Sequence, residues 1–311
     1  MRNLVAVAIT AGLALLVAAP AGATYPGEPG LLTWSTGAGF HDGSSSIWGR
    51  DVFGGGLTHL TNHKDTAPNG EIDPGRTYVS DTEPSWAPDG KRFAFVRERG
   101  FGPPRLYVAR ADGSHAHAVV GHDVFTVKPA FGRAGRIAFV RRIVNGDTYY
   151  DEIWSVHADG THLRQLTKGY GEDPDWSPNG RRIVFDNENV HGNGIRLSIM
   201  RADGSHEHLL DSHCGNAAQP SFAPGGKRLA VLYAASDAER VGVYTMGLSC
   251  RHKRRLTSGG FGPVWSPDGQ WIAYYGGPSG EQSSRVVRPD GTDNRRVPGH
   301  GGLDLDWQPR P

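Results

Sequence analysis

The 311-residue chain holds 44 glycines and 21 prolines, is 37% hydrophobic, and carries a formal net charge of +1. That balance argues against a nucleic-acid binder, whose affinity rests on an excess of Lys and Arg, and no basic run exceeds Lys253-Arg254-Arg255. Abundant turn formers without a heptad or long helical stripe point to many short strands joined by turns.

The first 23 residues read as a signal peptide. Arg2 supplies the positive start, Leu4 to Ala19 the apolar stretch, and Ala21-Gly22-Ala23 the small-residue cleavage rule, so the mature chain is expected to begin near Thr24. The apolar stretch is short for a bilayer span and ends in Pro and Gly, and no later segment approaches ~20 consecutive apolar residues. The expectation is a monomeric domain over 24–311, exported to the periplasm, the cell envelope or the medium, with no membrane span after cleavage. No cysteine sits near the cleavage site to carry a lipid anchor.

Past that point the chain repeats one grammar. "GLLTWS" (Gly30–Ser35) matches the second strand of the unit, and Leu60-Thr61 its end. From Pro84 onward an aromatic, a proline turn and a short apolar run recur, as in "PSWAPDGKRFAF" and "PDWSPNGRRIVF". The aromatics Trp86, Phe131, Trp176, Phe222, Trp265 and Trp307 are spaced 42 to 46 residues apart, the period of one four-stranded propeller blade. In Ser177-Pro178-Asn179-Gly180, proline presets φ and glycine accepts a positive φ, and Asp159-Gly160 serves the next hairpin. The chain ends on "LDLDWQP" (Leu303–Pro309), which matches the first strand of the unit. The fold predicted is all-β: a six-bladed β-propeller of four-stranded antiparallel blades, closed by the C-terminal strand pairing with the N-terminal blade.

These residues carry a resemblance. Trp86–Gly90, Trp176–Gly180 and Trp265–Gly269, with the distal Leu60-Thr61, Leu166-Thr167 and Leu256-Thr257, resemble the TolB-type propeller repeat, which is similar to a WD repeat. The likeness covers nearly the whole mature chain. Phe131–Gly135 departs from it by lacking proline, and Leu248-Ser249-Cys250 replaces the usual Asp-Gly. Complete repeat grammar without a catalytic constellation points to a non-catalytic protein that binds a protein, peptide or glycan partner. TolB itself adds an α/β domain for which this sequence is not expected to have room.

Alternating strands sort the connections to two ends of the ring. The short Ser-Pro-Asp-Gly and Ala-Asp-Gly turns share one face. The longer stretches Thr36–Ser46, Asn62–Glu83, Arg97–Pro104, Arg142–Glu152, Asn187–Gly194 and Ser212–Gln219 share the other, and variable loops on one face are the usual binding surface. Glu83, Asp173, Asp175, Asp304 and Asp306, together with Glu172, cluster where innermost strands begin. They either hold a cation or basic peptide end at the channel mouth, or bond neighbouring backbone amides. His41, His191 and His300 fall in connections on that same face. They motivate the alternative reading, a metal-assisted lyase or hydrolase acting on polysaccharide, since the repeat also resembles propeller lyases acting on oligogalacturonate. No His pair shows a recognised ligand spacing, and no G-x-S-x-G elbow or phosphate-binding loop is present, so no metal or cofactor is expected. Cys214 and Cys250 are placed on opposite faces of the ring, about one strand length apart, and are therefore expected not to pair.

Overall fold

The turns set the register of the blades. Gly90, Gly180, Gly226 and Gly269 take φ between 63° and 70°, and their N–H groups close onto the carbonyls of Ala87, Ser177, Ala223 and Ser266 at 2.7–2.9 Å. Where proline is missing, Arg133–Gly135 forms a 3-10 turn with Ala134 at φ 57°. A computed structural model describes residues 25–36, 45–61, 78–100, 102–121, 124–145, 148–188, 195–210, 212–233, 241–277, 281–298 and 302–310.

Six four-stranded sheets result. Blade 1 takes β1 (Glu28–Ser35), β2 (Ile47–Asp51) and β3 (Leu57–His59) from the N-terminal part. Blade 2 is β4 (Val79–Trp86), β5 (Arg92–Arg99), β6 (Arg105–Arg110) and β7 (His117–Ala118). Blade 3 is β8 (Thr126–Phe131), β9 (Arg136–Asn145), β10 (Thr148–His157) and β11 (Arg164–Gln165). Blade 4 is β12 (Glu172–Trp176), β13 (Arg182–Glu188), β14 (Ile195–Arg201) and β15 (His208–Leu209). Blade 5 is β16 (Ala217–Phe222), β17 (Arg228–Tyr233), β18 (Gly242–Gly247) and β19 (Arg254–Arg255). Blade 6 is β20 (Phe261–Trp265), β21 (Ile272–Gly276), β22 (Ser283–Val287) and β23 (Arg295–Arg296). The last strand, β24 (Leu303–Arg310), returns to become the innermost strand of blade 1, antiparallel to β1 with Leu32 opposite Trp307 and Thr33 opposite Asp306. The closure predicted from the two chain ends is the one observed.

The core lies between blades rather than within them. Trp86, Phe131, Trp176 and Phe222 are fully buried, and each packs where one sheet lies on the next, as when Phe131, Ile137 and Phe139 of blade 3 meet Ala94, Leu106 and Val108 of blade 2. One blade alone would leave such a face wet, which is why the unit must repeat. The distal Leu-Thr ties the outer strand to its blade. Thr61, Thr167 and Thr257 each accept an N–H from the third strand of their own blade, that of Ile47, Ile153 and Val243, at 2.9 Å.

Two expectations are corrected. Arg142–Glu152 is not a loop, because β9 and β10 pair without interruption from Asn145↔Thr148 down to Arg136↔His157. Cys214 and Cys250 do pair, with Cα atoms 4.8 Å apart. Sorting turns into two faces holds for inner strands but fails at the rim, because blades twist. The exit of each outer strand comes to rest on the next blade's outer turn. Gly113 abuts the Leu60 carbonyl, Gly204 that of Leu166, and Gly160 that of Val119. Cys250 occupies the same turn position, with φ 56° and its N–H on the Gly247 carbonyl. Cys214, on the chain leaving blade 4, meets it there.

Candidate functional site

Each innermost strand slips register at a bulge, between Thr82/Ser85, Val127/Ala130, Glu172/Asp175, Ala218/Ser221 and Phe261/Val264 in blades 2 to 6, and opposite Thr33/Ser35 in blade 1. The residue at each bulge stands three places before the blade's aromatic: Glu83, Lys128, Asp173, Gln219, Gly262 and Asp304. All six have positive φ, from 46° to 60°. For the five that are not glycine this conformation costs roughly 1–2 kcal/mol each, and backbone strain of that kind clusters at functional sites.

The strain is held by bonds running around the axis from blade to blade. Glu83 N–H donates to Asp304 Oδ2 at 3.4 Å, Lys128 N–H to Glu83 Oε2 at 2.5 Å, and Gly262 N–H to Gln219 Oε1 at 2.8 Å. Gln219 N–H lies 3.0 and 3.1 Å from the two oxygens of Asp186. Lys128 Nζ sits 3.1 Å from Glu172 Oε2 and 3.2 Å from Asp173 Oδ1. Ser35 Oγ donates to Asp304 Oδ2 at 2.5 Å.

Five carboxyl groups thus share one ammonium in a buried setting. Burial, with Asp304 beside it, pushes Glu83 up to about 8. Burial likewise lifts Asp304 to about 6 against the hydrogen bond from Ser35. Asp186 is raised by burial and by Asp173. Burial alone would lower the Lys128 ammonium, but Asp173, Glu172, Asp186 and Glu83 outweigh it and hold the proton on. Among the described residues no three His, Cys, Asp or Glu side chains stand together as metal ligands.

The candidate residues therefore divide. Glu83, Asp173 and Asp304 come together around the axis. Asp175 and Asp306 lie two positions further along their strands and latch blades: Asp175 Oδ2 accepts the Phe222 N–H at 2.5 Å and Asp306 Oδ2 the Trp86 N–H at 2.6 Å. Ser85 does the same for Phe131 at 2.9 Å. His41, His191 and His300 lie outside the described residues. Sequence reasoning missed Lys128, Gln219 and Asp186. The first two are visible as members of one column, three residues before the aromatic, once the search is not confined to acids.

The network reaches outward on the variable face. Glu172 also accepts hydrogen bonds from the Tyr170 hydroxyl and from the Asp151 carboxyl, whose proton is held by burial and by Glu172 itself, and Asp151 accepts both prongs of Arg142 at 2.7 and 2.9 Å. Arg142 lies over the Tyr149 ring at 4.4 Å. Above it the β9–β10 hairpin stands out as an arm with Val144 70%, Tyr149 64% and Tyr150 42% exposed. At the opposite end of the axis, Tyr25 is buried with Arg133 of blade 3 over its ring at 5.5 Å. Gly27, two residues on, donates to the Pro267 carbonyl of blade 6 at 3.3 Å. Blades 3 and 6 face each other across the ring, so this segment crosses the axis at the turn face.

Comparison with known proteins agrees with this architecture. The chain is 27% identical over 242 residues to the uncharacterized protein Atu1656 of Agrobacterium fabrum, covering 70% of this chain and 77% of that protein. It is 24% identical over 180 residues to the uncharacterized peptidase YuxL of Bacillus subtilis, covering 45% of this chain but only 27% of the peptidase. Crystallised TolB from Acinetobacter baumannii superposes with a TM-score of 0.73 at 17% identity, over 90% of this chain and 67% of that one. An oligogalacturonate lyase in complex with manganese superposes at 0.56 with 12% identity, over 90% and 78%. At such identities the superpositions establish the fold alone. Residues 42–221, more than half of the sequence, match the family described as the TolB beta propeller domain. With six closed blades and the Trp-Ser-Pro-Asp-Gly turns in place, the chain belongs to the TolB beta propeller domain family.

Proposed function

We propose that this protein is an exported, monomeric, non-catalytic propeller, its domain spanning 24–311, that holds a protein or peptide partner on its variable-loop face. The observation that carries the reading is the β9–β10 arm, where Val144, Tyr149 and Tyr150 stand exposed directly above the charged network of the axis. Tyrosine offers a large, rigid contact surface at low entropic cost and is enriched where binding energy concentrates. The axial carboxylates favour binding over chemistry for a different reason. Glu83, Asp175, Asp186 and Asp306 already accept backbone N–H groups, so they serve the frame. The shared fold of the lyase transfers no residue role to this chain.

The test is retention of a partner from the exported fraction of the source cells on immobilised protein. The Tyr149→Ser/Tyr150→Ser variant is expected to weaken that retention about tenfold or more, as loss of ~1–2 kcal/mol per anchor implies. Equal retention by both proteins would overturn the proposal. N-terminal sequencing of exported material should begin at Thr24.

A further inference from the structure

The turn face, remote from the arm, carries an arginine-lined groove between blades 3 and 4. Its volume is about 680 Å³, and Arg136, Arg181, Arg182, Arg201, Asn179 and Asp203 line it. Arg182 and Arg201 are direct cross-strand partners on β13 and β14. Like charges so placed oppose each other across ~5 Å and destabilise a sheet, yet among the described residues neither makes an ion pair. Arg136 is held in place, donating to the Gly180 carbonyl at 2.9 Å with its guanidinium 4.7 Å over the Trp176 ring.

The one carboxylate in the groove is engaged elsewhere. Asp203 Oδ1 accepts the N–H and the hydroxyl of Ser205 at 2.9 and 2.7 Å, which closes its own turn, and Arg164 binds the Asp203 carbonyl at 2.6 Å. Blade 2 has a similar opposed pair, Arg92 and Arg110, but there the adjoining groove is smaller, at about 440 Å³, and its lining includes both Asp89 and Asp159. The blade 3–4 groove therefore has four guanidiniums against one engaged carboxylate. They approach from a strand of blade 3 and from the inner turn and the second and third strands of blade 4.

We propose that this groove is a binding site for a phosphoryl group carried on a larger body. Several forked donors lining one groove from two blades suit a tetrahedral oxyanion with three free oxygens better than a planar carboxylate, which one fork satisfies. The groove is open and larger than a bare ion, so it has room for a phosphate borne by something of sugar or lipid-headgroup size. Its binding neutralises the Arg182–Arg201 repulsion that the sheet otherwise carries.

Two probes separate the sources: glucose 6-phosphate in calorimetric titration, and phosphatidylglycerol vesicles in a phosphatidylcholine background in co-sedimentation, both near ~0.15 M salt. Arg182→Gln/Arg201→Gln should weaken the interaction about tenfold or more without lowering the melting temperature, since it removes a repulsion. Arg92→Gln/Arg110→Gln should leave it unchanged. Binding of the sugar phosphate identifies a soluble ligand, and binding of vesicles alone identifies a lipid head. Binding of neither probe, or binding that survives Arg182→Gln/Arg201→Gln, overturns the proposal.

Discussion

At the scale of single residues, the column Glu83, Lys128, Asp173, Gln219, Gly262 and Asp304 shows how a repeat is individualised. The bulge is common to all six blades, and its side chain is not. The aromatic three places on was legible from sequence because burial between blades dictates it. The bulge residue was legible only in part, since its chemistry answers to neighbours in other blades. Glu83 makes this measurable. Its folded-state pKa, about 8, lies above the ordinary 4.5, so the folded protein keeps a proton that the unfolded chain releases. That contribution is full below about pH 4.5 and is lost as pH rises through 8. Glu83→Gln keeps an acceptor for the Lys128 N–H and cannot ionise. Urea midpoints should show the variant gaining on the wild type as pH climbs from 5 to about 8.5; a constant gap would contradict the assignment. Lys128→Met leaves Glu172, Asp173 and Asp186 without their cation and should cost about 3–5 kcal/mol at neutral pH. Part of that loss should return in acid, as the carboxyls take up protons.

At the scale of elements, strands and inner turns were readable because proline and glycine fix their dihedrals locally. Two features were not. The β9–β10 arm reads as a loop because its strands run past the usual blade length, although the turn formers Asn145-Gly146-Asp147 stand between the strand-forming Ile143-Val144 and Tyr149-Tyr150. The Cys214–Cys250 bond falls out of reach in a flat picture of the blade, which puts the two on opposite ends. Twist brings the exit of one outer strand onto the next blade's outer turn, and that displacement cannot be counted in residues. The bond closes a sequence separation of 36, which by chain entropy stabilises the fold by about 4 kcal/mol. Reductant should lower the calorimetric melting temperature of the wild type and leave Cys214→Ser/Cys250→Gly unmoved, glycine being suited to the φ of 56° at that turn. A wild type indifferent to reductant would show that the bond contributes nothing.

At the scale of the whole molecule, closure depends on β24. Its residues pair with β1, and Asp306 latches onto the Trp86 N–H of blade 2, so one strand joins both sides of the seam. A chain ending before Leu303 should expose the edge of β1 and elute as aggregates in size-exclusion chromatography; a monodisperse, equally heat-resistant product would refute closure as the source of stability. Tyr25 adds a consequence of its own. Its segment reaches from Arg133 of blade 3 to Pro267 of blade 6 at the turn face, while Glu83, Lys128, Asp173 and Asp304 are buried at the other end, so the axis is filled by side chains and offers no bore for a polymer among the described residues. A partner of the kind proposed would then be held at the rim, on the side where Tyr149 and Tyr150 stand exposed, and not within the bore.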